Sequence, residues 1–238
     1  MVFFFMVLEK ISSGAPRQLY GLDEGSKKLA FILCLPLIDG VFATLLVTGA
    51  VNTFSQMINV AVTIFAGAGA LAVLYSESET RREAVQMVNN VIPIVLTGAL
   101  LIALIAPIFE SMFQTSLLKY AAALAVASIG LQLAGIDFAE RMPPSAIILT
   151  GLVLSYQGIN GFSLTLSYVY PAVVTVALAA TGLYIATLLK KYSMNIDYVR
   201  YGGSVVLLVI SISLFGVDVP QALGPLTFAL AVIVSLKA

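Results

Sequence analysis

Residues 85–108 contain no charged side chain. At about 1.5 Å per residue, a helix of that length crosses the ~30 Å hydrocarbon core of a bilayer. The pattern recurs along the chain. Apolar runs broken by charged or Pro-, Gly- and Asn-rich stretches predict helices at 29–51, 53–75, 85–108, 118–136, 143–156, 166–189, 201–216 and 221–236. Composition agrees: 60% of the 238 residues are hydrophobic and 10% charged, against roughly 25% charged in a soluble domain. The expected fold is an all-α, polytopic transmembrane bundle of about eight helices. Residues 1–28 read as an N-terminal cytoplasmic or interfacial segment and 29–238 as a single transmembrane domain. The run at 143–156 is short and reads either as a span or as a re-entrant segment.

The basic residues orient the spans. With eight crossings, Lys10, Arg17, Lys27, Lys28, Arg81, Arg82, Arg141, Lys190, Lys191, Arg200 and Lys237 fall on one side, and Lys119 alone falls opposite. Cytoplasmic loops carry the Lys/Arg excess, so both termini are expected in the cytoplasm of a cell-membrane protein.

An internal match suggests how the spans are arranged. KYAAALAVASIGLQLAGIDFAERMPPS, from Lys119, lies over RYGGSVVLLVISISLFGVDVPQALGPL, from Arg200, at a constant offset of 81. Gly135-Ile136-Asp137 meets Gly216-Val217-Asp218, and Pro144 meets Pro225. Leu37-Ile38-Asp39 is a shorter echo in the first helix. Units three helices apart insert with opposite orientation. Inverted repeats of that kind are common in secondary transporters, whose sites lie at the repeat interface near midplane.

Asp39 is the leading candidate for chemistry. It lies at the middle of the 29–51 run, where insertion costs about 2.5–3.5 kcal/mol unless the acid finds partners or water. Pro36 and Gly40 flank it and predict a kink or break, which would free backbone carbonyls for a cation. Asn59, Gln86, Asn90 and Gln132 lie on polar faces of helices 2, 3 and 4 and supply neutral oxygens for a hard cation or polar solute. The same amides also serve as interhelical hydrogen bonds, and Asp39 as a structural bond to a neighbour. Asp137 and Asp218 fall near helix ends on opposite sides, as gates or as solvated caps.

Other chemistries lack their residues. The chain has no histidine and one cysteine, Cys34, so histidine relays, His/Cys metal sets and intrachain disulfides are excluded. No P-loop or GxSxG is present, and no basic run suits nucleic acid. No enzymatic activity and no cofactor are expected, and the identity of any bound metal is left open.

The pieces CLPLIDGVFATLLVTGAVNT at 34–53, FAGAGALAVLYSE at 65–77 and NIDYVRYGGSVVLLV at 195–209 resemble a family of uncharacterised archaeal polytopic membrane proteins, a domain of unknown function. That resemblance implies membership and brings no activity. Three-helix units with an acid in the first helix look, more distantly, like the lysine- and manganese/calcium-exporter superfamily, and the inverted plan looks like trimeric cation channels. The Glu-x-Gly-Asp motif of the calcium/manganese branch is absent.

Two functions from different classes follow. One is a transporter or channel for a small cation or polar solute, with Asp39 as its midplane binding or protonation site. The other is a non-transporting scaffold or partner subunit in which Asp39 is structural. Expected partners are the lipid bilayer, the solute and a further copy of the chain.

Overall fold

The eight apolar runs are helical, the first two each broken into two pieces, and side-chain caps mark the starts of the helices at 24, 54, 81 and 196. The computed structural model describes residues 22–158, 165–192, 194–220 and 222–236. Most of the predicted N-terminal segment, and residues 159–164, lie outside the described residues.

Helix α1 (Glu24–Ile38) begins before the predicted 29 because Asp23 caps it, accepting from the Ser26 backbone N–H and hydroxyl. Burial works to raise the Asp23 pKa, but these hydrogen bonds outweigh it and hold the carboxyl below its ordinary range. Then come α2 (Val41–Val47), α3 (Phe54–Val60) with a π-helical turn at Ala61–Phe65, and α4 (Ala68–Ser76). Helix α5 (Arg81–Met112) is extended at its start by a Thr80–Glu83 capping box and runs through Pro93 and Pro107. Helices α6 (Thr115–Leu133), α7 (Asp137–Glu140), α8 (Pro144–Ser155), α9 (Val169–Leu189), α10 (Ile196–Leu214) and α11 (Leu223–Ser235) complete the order. Among the described residues there is no strand, only an isolated bridge between Phe113 and Tyr156.

Four helices, α5, α6, α9 and α10, are long and apolar enough to cross a membrane. The count rises to six if α1–α2, bent by 45°, and α3–α4, bent by 47°, each form one broken span. Helices α8 and α11 have only 12 and 13 residues. Helix α5 packs on α1 and α9, and α6 packs on α2, α8 and α10. The core is one apolar body, with Leu29, Phe42, Leu45, Val91, Ala123, Leu183 and Leu207 fully buried.

The two ends of the bundle differ. At one end Lys28 pairs with Glu77 at 2.8 Å, and Lys190 donates to the Ser78 hydroxyl and carbonyl while standing 5.7 Å over the Tyr75 ring. Burial pulls the Lys190 ammonium below its ordinary value, with the Glu83 charge opposing. This basic end also carries Arg81, Arg82, Lys191 and Arg200. The opposite end holds the turn at 113–114, where Gln114 N–H donates to Ser155 O at 2.7 Å and Gln157 N–H to Met112 O at 2.9 Å.

Two helical hairpins share a plan. Helices α6 and α10 each have 19 residues and begin 81 positions apart, at 115 and 196. Each ends in a left-handed glycine, Gly135 (φ 79°) and Gly216 (φ 91°). Each is followed by a short helix that returns along it. A Cβ at Gly151 of α8 would strike the Ala121 methyl, and a Cβ at Gly202 of α10 would strike the Ala231 methyl of α11. Where α6 crosses α10, a Cβ at Gly130 would stand 3.2 Å from Ser204 O, and Ser211 Oγ donates to Ala123 O at 2.8 Å.

Candidate functional site

Helix α1 stops at Asp39, whose backbone N–H still donates to Leu35 O at 2.9 Å. Gly40 then turns left-handed, at φ 80°, a conformation costly for any residue with a Cβ. Helix α2 starts at Val41, whose N–H donates to Asp39 Oδ1 at 3.1 Å. The acid therefore stands at a junction of two half-helices, and its carboxylate accepts the first N–H of the second. Pro36 stays inside α1 and buried, so the break forms at Gly40 and not at the proline. The junction is at mid-depth: Leu37 lies against Gly98, halfway along α5, and Gly40 lies against Ile148, halfway along α8.

A second break lies beside it. Past α3 the chain widens into the π-helical turn, where Thr63 Oγ1 donates back to Asn59 O, and Gly67 leaves room for Thr63 O where a Cβ would collide. The Phe42 and Phe65 rings, just past one break and just before the other, meet edge-to-face with centroids 5.0 Å apart. The first break was expected from the sequence and the second was not; a lone glycine inside an apolar run, Gly67, was the only hint of it.

The polar residues expected around Asp39 are not gathered there. Asn59, 5% exposed, packs on Gly224 at the start of α11 and lines a small cavity of about 30 Å³ with Gln56, Ile210 and Ser213. Gln86 is exposed on the early turns of α5, and Asn90 Nδ2 reaches Ser26 Oγ at 3.5 Å, both toward the basic end. Gln132 Nε2 donates to Ser128 Oγ, Ala139 O and Met142 O and fastens the loop between α6 and α8. Spacing fixes the face a residue takes on its own helix, not which neighbour meets that face at what depth. Asp137 and Asp218 are exposed near opposite ends of the bundle.

The larger cavity, about 340 Å³, opens at the end opposite the basic one. Glu110, Lys119, Tyr168, Thr115, Ser116 and Asn52 line it, with the α2 C-terminus from Leu46 to Gly49. Burial, then the Glu110 hydrogen bond and charge, push the Tyr168 phenol well above its ordinary value. Beside it, Val47 of the cavity wall is buried with Ala106 and Leu118, and Leu152 packs against them. In the sequence, Lys119, alone against the charge bias, was the signal for this cavity. Among the described residues, no three of Cys, Asp and Glu cluster to hold a metal ion.

These features define an all-helical protein with several apolar helices of membrane-crossing length. Residues 95–215, just over half of the 238, match a family of unknown function (DUF5794), and the chain belongs to that family. The matched segment includes Glu110, Lys119, Gln132, Asp137 and Tyr168 and stops short of Asp39, Asn59, Gln86, Asn90 and Asp218. No curated protein and no solved structure matches the chain.

Proposed function

We propose that the chain is an integral membrane transporter or channel for a small cation or polar solute, with Asp39 as its binding or protonation site. The carrying observation is the pairing of two breaks at mid-depth with the acid at one of them. Discontinuous helices expose backbone groups where a solute can replace them, and in secondary transporters such helices form the midplane site. In this reading the basic end faces the cytoplasm. The bent pairs each cross once, and α8 and α11 complete eight crossings despite their length.

The reading also takes the two hairpins as inverted repeats. The contacts Gly130 with Ser204 O and Ser211 with Ala123 O exchange under the 81-residue offset, since 130 + 81 = 211 and 123 + 81 = 204. That is the pattern expected of antiparallel units related by a local two-fold axis.

A second reading has its own support. The Asp39 carboxylate accepts from Val41 N–H at the start of α2, which accounts for an acid in a scaffold that moves no solute. Asp39→Asn separates the two, because asparagine retains an oxygen for Val41 N–H and loses the charge. In proteoliposomes carrying a panel of cations and polar solutes, the transporter reading expects Asp39→Asn to fold normally and to lose at least tenfold in uptake. Uptake equal to wild type, or absent from both, returns Asp39 to a structural role.

A further inference from the structure

The cavity at the end opposite the basic one brings an acid and a base to the same space without pairing them. Among the described residues the ion pairs are Lys28–Glu77 and Arg200–Asp197, so Glu110 and Lys119 do not close on each other. A basic residue on this side runs against the charge distribution of the rest of the chain. Its neighbourhood is suited to an anion. Gln114 provides no side-chain cap for the 19-residue helix α6, so the helix presents its first N–H groups and positive dipole end beside the Thr115 and Ser116 hydroxyls and Lys119. The other wall is suited to a cation, with the Glu110 carboxylate beside the half-buried Tyr168. A volume of about 340 Å³ lies at the small end of the usual ligand-pocket range of roughly 300–1,000 Å³.

We propose that this cavity binds a compact zwitterion, its anionic group at Lys119 and the α6 N-terminus and its ammonium group at Glu110. A singly charged molecule would leave one of the two protein charges without a counter-charge, so selectivity for the doubly charged form is built into the geometry. Two sources share this chemistry: a free amino acid and an ethanolamine phospholipid headgroup. The site does not depend on Asp39, and it stands or falls separately from the transport reading.

The test is equilibrium binding to the purified full chain in detergent. The probes are L-leucine, its decarboxylated analogue isoamylamine, its deaminated analogue 4-methylvalerate, and glycerophosphoethanolamine. The expected result is saturable binding of leucine or of glycerophosphoethanolamine, at least tenfold tighter than either singly charged analogue; the tighter of the two identifies the source. Lys119→Gln should remove the advantage of the zwitterion over isoamylamine, and Glu110→Gln its advantage over 4-methylvalerate, while Asp39→Asn leaves both intact. Thermal unfolding by circular dichroism checks that each variant is folded. Absence of saturable binding by both zwitterions, equal binding of the analogues, or selectivity unchanged in both folded cavity variants overturns the proposal.

Discussion

The α6–α8 and α10–α11 hairpins place equal-length helices, left-handed glycine turns and short return helices in register, yet they solve their close contacts differently. In the first, the glycine is on the return helix and the alanine on the long one, Gly151 against Ala121; in the second the assignment is reversed, Gly202 against Ala231. The shared requirement is the distance of approach, and either helix can supply the missing methyl. The connections differ more. The first hairpin adds α7 and fastens its loop through Ser128 and Gln132. At the positions 81 further on, the second has Val209 and Ser213. A common frame therefore carries a reinforced turn at the basic end and a plainer one at the other.

The largest expected effect tests the crossing contacts. Gly151→Ala and Gly202→Ala should each destabilise the protein by about 1–3 kcal/mol, measured by denaturant unfolding in detergent. The pair Ala121→Gly with Gly151→Ala gives the first hairpin the arrangement of the second and should recover most of the loss. Failure to recover would break the equivalence of the two hairpins. A smaller effect tests the difference between turns. Gln132→Leu removes the donor to the Ala139 and Met142 carbonyls and should cost about 1 kcal/mol, with faster amide exchange at 134–142. Exchange unchanged there would show that the turn holds without this network. The smallest concerns the contact between the hairpins: Ser211→Ala should cost about 0.6 kcal/mol, the usual size of one hydrogen bond between membrane helices. A loss of several kcal/mol would mean that this bond organises the whole crossing.

The helices were legible because apolar runs of this length leave few alternatives; the 81-residue match aligned Gly135 with Gly216, but the predicted helices ran through both glycines, and the left-handed turns there emerge only in the structure. Helix ends were less legible, since Asp23 and Thr80 extend α1 and α5 beyond their apolar stretches. The Asp39 break could be read from its neighbours, whereas the break at Gly67 depends on how closely Thr63 O approaches, which spacing does not encode. The polar set scattered for a related reason. Asn59, Asn90 and Gln132 each found a partner dictated by the depth and rotation of a neighbouring helix. The outer cavity was hidden because its walls come from four separate stretches of chain, at 46–52, 110, 115–119 and 168.

The rings of Phe42 and Phe65 have a mechanical consequence. Both are almost wholly enclosed, and each belongs to the first or last turn beside a bend. Neither bend can change without repacking a ring that the other bend's ring abuts, so the edge-to-face contact ties the two elbows together mechanically. Cys34, the chain's one thiol, sits about a turn and a half ahead of the first elbow. A probe attached there would report on the Gly40 elbow and, through the paired rings, on a repacking begun at Gly67, 33 residues further along the chain.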